Sequence, residues 1–173
     1  MSDLNLHTEK IKSGESWLEK IKRYIPGYDG YVNRDNAREI DNLLRTNLAG
    51  KLEENKTLIK NTVLKLSQEG KLFETAGIEK LDKKNETAIA KFRSAARGYS
   101  GAFDISKTKE EKLNMLYDFD LSLLSAVESL KNDFALLESK ANEGIKEQSD
   151  IVSVNLDNLL KKFDEREELL RKL

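Results

Sequence analysis

Apolar residues in this chain recur at helical spacing, every third or fourth position, through most of its length. Trp17, Leu18, Ile21 and Ile25 share one face opposite Lys20, Lys22 and Arg23, which predicts a short amphipathic helix over 15–25. Pro26-Gly27 stops it, because proline disfavours the helical conformation in the residue before it. Ile40, Leu44, Leu48, Leu52, Ile59, Val63 and Leu66 form a slowly drifting stripe and predict a helix over 35–68, capped by Asn33 or Asp35. Such a helix is about 50 Å long. Gly50 in its interior predicts a kink or a close helix crossing, and Gly70 closes it, with Leu72-Phe73 in the connection.

A third helix is predicted over 78–97 from Ile78, Leu81, Ala88, Ile89, Phe92, Ala95 and Ala96. The fourth has the strongest period: Leu113, Leu116, Tyr117, Asp120, Leu124, Val127, Leu130, Phe134 and Leu137. Thr108 and Glu111 make a capping-box pattern at its start, and Asn142-Glu143-Gly144 ends it. The fifth begins at Ile145 or Ser149 and runs to the C-terminus, with Val152, Leu156, Leu159, Phe163, Leu170 and Leu173 at coiled-coil spacing. Arg166 occupies one position of that seam, which predicts a partly solvated contact or an acid on the facing helix. The fold class is all-α, an elongated antiparallel up-and-down bundle of three to four long helices plus a short N-terminal one. Residues 1–14 read as a flexible arm and 15–173 as one domain, with 149–173 a candidate coiled-coil extension and self-association surface.

Two corners punctuate the helices. One contains Gly27, Tyr28, Gly30 and Tyr31, the other Gly98, Tyr99, Gly101 and Phe103. Glycine reaches positive φ without steric cost, and the aromatics pin a tight turn against the helices it joins. Both corners are expected at one end of the bundle, less than roughly 25 Å apart, about half the long helix. Tyr28, Tyr31, Tyr99 and Phe103 then cluster there.

Composition narrows the chemistry. Hydrophobic residues make up 38% and charged residues 35%, as in solvated helices with narrow apolar stripes. There is no cysteine and a single histidine, His7, so disulfides, thiolate chemistry, a Ser-His-Asp triad and the Glu-x-x-His pairs of di-iron bundles find no support. No glycine-rich phosphate loop is present, and no cofactor is expected. Lys plus Arg (30) nearly equals Asp plus Glu (31), interleaved, which gives no field directed at nucleic acid. Neither a signal-peptide pattern nor an apolar run of roughly 18 residues occurs, so a cytoplasmic location is expected. Asn85-Glu86-Thr87 matches a glycosylation sequon by chance.

Arg34, Arg38, Asp41 and Arg45 form a polar stripe near the start of the second helix, while Asp120 falls on the apolar seam of the fourth and Asp118 off it. One reading is an anion- or partner-binding surface. The favoured one is an interhelical network in which Arg38 or Arg45 neutralises Asp120, because a carboxylate at a core position is costly without a partner. Trp17, Leu18, Ile21 and Ile25 admit a further alternative, a basic amphipathic helix resting weakly on a membrane surface.

The run Ile25-Pro26-Gly27-Tyr28 with Arg34, Arg38, Asp41, Leu44 and Arg45, the segment Gly98-Tyr99-Ser100-Gly101-Ala102-Phe103-Asp104 and the segment Leu116-Tyr117-Asp118-Phe119-Asp120 carry a likeness. Over residues 17–137 the chain resembles an uncharacterised family of prokaryotic helical proteins with no established activity. Relatives of that kind occur alongside stomatin/flotillin-type membrane scaffold proteins, and the resemblance implies an adaptor role. The expected function is a non-catalytic interaction or scaffold protein with a protein partner or a second copy of itself. A membrane-peripheral adaptor standing on the first helix and a bundle binding a small ligand or anion near Arg38, Arg45, Tyr99 and Asp120 are the alternatives.

Overall fold

The computed structural model describes residues 17–32, 34–94 and 108–173. The expected arm, the Asn33 cap, residues 95–97 and the corner carrying Gly98, Tyr99, Gly101 and Phe103 lie outside them, as does the side chain of Arg34. Five helices are seen among the described residues: α1 over 17–24, α2 Arg34–Gln68, α3 Leu72–Ser94, α4 Glu110–Ser139 and α5 Ile145–Arg171. No strand occurs among the described residues.

Ion pairs and a hydrogen bond between helices give their directions. Arg93 with Glu53 (2.7 Å) and Lys56 with Glu86 (3.2 Å) run α2 and α3 antiparallel. Asn155 with Asp133 (2.8 Å) and Arg166 with Asp120 (2.6 Å) do the same for α4 and α5. Between these hairpins the register is parallel. Lys51 meets Glu128 at 2.9 Å and Lys65 meets Glu138 at 2.8 Å, while Lys84 meets Asp157 at 2.7 Å and Lys91 meets Asp164 at 2.5 Å. Thus α2 packs on α3 and α4, α5 packs on α4 and α3, and α2 and α5 hold diagonal corners of the bundle. The expected antiparallel bundle is present, with parallel contacts where the two hairpins meet.

The core follows the predicted stripes. Leu44, Leu48, Leu52 and Leu66 of α2, Phe92 of α3, Phe134 of α4 and Phe163 of α5 have no exposed surface. Phe92 and Phe163 meet edge to face, their ring centroids 4.6 Å apart. The gap in the α2 stripe between Leu52 and Ile59 is filled by Asn55, fully buried against Asn85 of α3. Asn85 donates its amide to the Leu52 carbonyl at 2.9 Å, so the sequon asparagine is consumed inside the bundle.

Several expectations need correction. α3 begins at Leu72, not 78, because the α2–α3 link is tight: Gly70 takes φ +73° and Lys71 N–H returns to the Leu66 carbonyl at 2.9 Å. Leu72 and Phe73 therefore belong to the first turn of a helix. The N-cap of α4 is Lys109, in extended conformation, and not Thr108. Gly50 marks no close crossing, since a Cβ there meets nothing within 4 Å, and α2 continues through it. The α5 seam is covered within the chain: Val152, Leu156, Leu159, Phe163 and Leu170 are all buried against its own neighbours. Those five side chains are spent within the bundle. Of the candidate membrane face, Ile21 and Ile25 are buried in the common core, Leu18 packs against it and Trp17 is half-buried.

Candidate functional site

A buried polar network closes the end of the bundle where α2 and α4 start and α5 finishes. Its centre is Asp120, which has no exposed surface. Tyr28 donates its hydroxyl to Asp120 Oδ2 at 2.7 Å and Tyr31 donates to the same oxygen at 2.6 Å. Arg166 Nε donates to Asp120 Oδ1 at 2.6 Å, and its Nη2 donates to the Tyr31 hydroxyl at 2.9 Å. Arg166 Nη1 lies 2.7 Å from Asp41 Oδ1 as an ion contact without hydrogen-bond alignment. Arg45 Nε donates to Asp41 Oδ2 at 2.6 Å, its Nη2 donates to Glu167 at 2.9 Å, and its guanidinium lies 5.4 Å from the centre of the Phe163 ring.

Asp120 thus has an arginine partner, but from α5. Neither Arg38, which is exposed, nor Arg45, which is committed to Asp41 and Glu167, fills that role. The residues expected to make an anion surface or ligand pocket are only partly described. Arg45 and Asp41 are buried and face carboxylate and guanidinium, Asp118 is exposed and apart from them, and Tyr99 lies outside the described residues. Arg166 meets an acid on the facing helix, one of the two alternatives expected for it; its particular pairing with Asp120 and the parts played by Glu167 and Tyr117 are what the sequence reading misses. The signal was present: two seams each carry one charge of opposite sign, Asp120 and Arg166, on helices joined by a short turn.

The first glycine-tyrosine corner exists to deliver the two hydroxyls. Tyr28 and Tyr31 stack edge to face with centroids 6.0 Å apart, and Tyr31 lies 5.6 Å from Tyr117. Those three form the aromatic cluster within the described residues. The Tyr31 N–H donates to the Tyr117 hydroxyl at 2.9 Å. Gly30 makes this approach feasible, with φ +81° and a hypothetical Cβ only 2.7 Å from the Tyr117 hydroxyl oxygen and 3.3 Å from Leu18. Gly30→Ala is expected to cost roughly 2–3 kcal/mol, from left-handed strain plus the displaced hydrogen bond. Gly27→Ala, at φ +88° but with open space around it, should cost only the strain, about 1–2 kcal/mol. Urea midpoints of the two variants compare these losses directly.

Burial and the Asp120 carboxylate push the Tyr28 and Tyr31 hydroxyls well above the ordinary phenol value of 10.0; the Arg166 charge opposes this only at Tyr31. A raised phenol pKa means that the network's contribution is intact below pH 10 and is lost as pH rises through the folded values. Absorbance at 295 nm is therefore expected to show at least two of the five tyrosines staying neutral until the far-ultraviolet circular dichroism collapses. Their titration while the helices remain intact would exclude the hydrogen-bonded arrangement. Glu167 is also raised, because desolvation outweighs its attraction to Arg45 and Arg166. Two guanidiniums here face three carboxylates, so protonating Glu167 brings the cluster to neutrality.

The network joins the corner, α2, α4 and α5, and its charges are directed at one another. Among the described residues no three His, Cys, Asp or Glu side chains are placed to hold a metal ion. No helix of the described residues is long and apolar enough to cross a membrane. At the opposite end lies an open feature, a groove of about 560 Å³ between the first halves of α3 and α5. Ile78, Leu81 and Ile145 form its apolar floor, and Glu74, Lys80, Lys146 and Asp150 its rim. Phe73 stands at its lip, 96% exposed, beside Leu72 at 67%. No family model, curated protein or solved structure matches this chain.

Proposed function

We propose that the chain is a non-catalytic helical interaction module that receives another polypeptide in the groove between α3 and α5. The observation that carries this reading is Phe73, an almost fully exposed aromatic beside an apolar groove. Burying such a side chain contributes about 1.5–3 kcal/mol, and aromatic anchors of this kind dominate protein interfaces. The rim carries both signs of charge, Glu74 and Asp150 with Lys80 and Lys146, which suits an amphipathic segment of mixed charge. The same acids disfavour an anionic lipid surface, and the α1 face is already spent on the bundle. The buried network supports the reading as a lock. Asp120 and Arg166 meet no substrate without opening the bundle, while four elements fastened together keep the module rigid.

A photo-cross-linking phenylalanine analogue at position 73, introduced into the full chain in its native cells, tests this. Covalent polypeptide adducts are expected there and not from the same analogue at Met115, 46% exposed at the other end of the bundle. Equal or absent adducts at both positions would remove the groove as the docking surface.

A further inference from the structure

The groove-forming segment of α3 reads Phe73-Glu74-Thr75-Ala76-Gly77-Ile78-Glu79-Lys80-Leu81. At distances of three and four residues from Gly77 it matches its own reverse. An acid stands three residues before Gly77 and a base three residues after it. A large apolar residue stands four before and another four after. Phe73, Gly77, Lys80 and Lys84 lie along one helix face at the edge of the groove. At Gly77 a Cβ would meet nothing within 4 Å, so the backbone there faces open space.

Resting on the interaction-module reading, we infer that the occupant of the groove is a second copy of this chain, paired antiparallel through α3 about a two-fold axis at Gly77. Such an axis places each position opposite its mirror in the pattern. Glu74 of one copy faces Lys80 of the other, twice. Phe73 of each copy enters the other's groove over Leu81, between α3 and α5. Gly77 meets its own counterpart, and the missing side chains allow the two helix backbones to approach closely. Among the groove charges Lys84 is already held by Ser153 at 2.8 Å and Asp157 at 2.7 Å, whereas Glu74 and Lys80 stand on the rim. This charge complementarity selects a second copy over a partner of arbitrary sequence. The contact proposed is a single helix face and its groove, and interfaces under about 1,200 Å² are weak and transient, so association is expected only at high protein concentration.

Sedimentation velocity of the full chain over a concentration series up to about 500 μM reads the association directly. The parent is expected to shift from monomer to dimer. Phe73→Glu should abolish the shift. Glu74→Lys and Lys80→Glu should each weaken it by at least about tenfold, and the two together should return it to within about threefold of the parent. Because the chain has no cysteine, Gly77→Cys offers a second readout. A residue on a two-fold axis meets itself, so mild oxidation should give a disulfide-linked dimer from position 77 and none from Thr87→Cys, exposed further along α3. Far-ultraviolet circular dichroism should show all variants folded, since every change lies on the surface. A parent that stays monomeric, or a dimer indifferent to the charge reversals, overturns the inference. Adducts from position 73 to other polypeptides would then leave the interaction-module reading standing. Co-sedimentation with phosphatidylcholine–phosphatidylserine vesicles, lost in Phe73→Glu and seen without polypeptide adducts, would overturn both.

Discussion

Arg166→Met is expected to destabilise the bundle by about 3–5 kcal/mol, the cost of leaving a buried charge without its partner. Methionine fills a similar volume and is apolar, so the loss is electrostatic and not a cavity. Arg166 has no exposed surface and serves four groups at once: Asp120, Asp41, Glu167 and the Tyr31 hydroxyl. Without it Asp120 keeps two hydroxyl donors but no cation. At roughly 2–4 °C per kcal/mol for a chain of this size, the melting temperature should fall by about 10 °C. Arg166→Lys should recover less than half of the loss, because one ammonium cannot reproduce a fork whose three nitrogens face different partners.

The second substitution of the cycle decides the cause. Adding Asp120→Asn to Arg166→Met removes the stranded charge and keeps an acceptor for Tyr28 and Tyr31, so at least half of the stability should return. In the parent background Asp120→Asn should instead be destabilising, since it removes the carboxylate that faces Arg166 Nε. That change of sign is the signature of coupling between the two sites. Equal effects of Asp120→Asn in both backgrounds would show that the pair does not hold α4 to α5.

The sequence made the bundle legible because helical periodicity survives in four long stripes and because Gly70 and Gly144 stop helices where the chain turns. It also showed that Asp120 needed an arginine. The pattern points to the wrong arginine because Arg38 and Arg45 form a visible stripe near the α2 start, whereas Arg166 is one charge in an otherwise apolar seam. Pairing the two anomalous seam positions across the α4–α5 turn finds it. The start of α3 was hidden for a different reason. Leu72 and Phe73 are exposed, so they obey no burial period and look like a connection. The groove was not legible at all, since it exists only where α3 and α5 become parallel neighbours, and no stripe specifies which hairpin faces meet. Asn55 is not legible because a polar residue on an apolar stripe resembles a break until Asn85 stands opposite it.

The covered α5 seam leads to the other large effect. Leu159→Glu is expected to remove most of the cooperative stability of a chain whose seam is internal. Leu159 is 1% exposed and lies between Leu156 and Phe163, both without exposed surface. Truncating a buried leucine alone costs about 2–5 kcal/mol, and an unpaired carboxylate adds desolvation on top. The sum approaches the whole stability of a typical domain, about 5–15 kcal/mol, so the melting temperature should fall by more than roughly 10 °C or the transition should vanish. Val154→Glu, on the outer face of the same helix at 56% exposure, should stay within about 0.5 kcal/mol of the parent. Whatever fraction of Leu159→Glu remains folded should sediment as the parent does at equal concentration, because the α3 surface is untouched. A stable Leu159→Glu protein of smaller assembly state would reverse this assignment, placing the seam between chains and removing α5 from its own bundle.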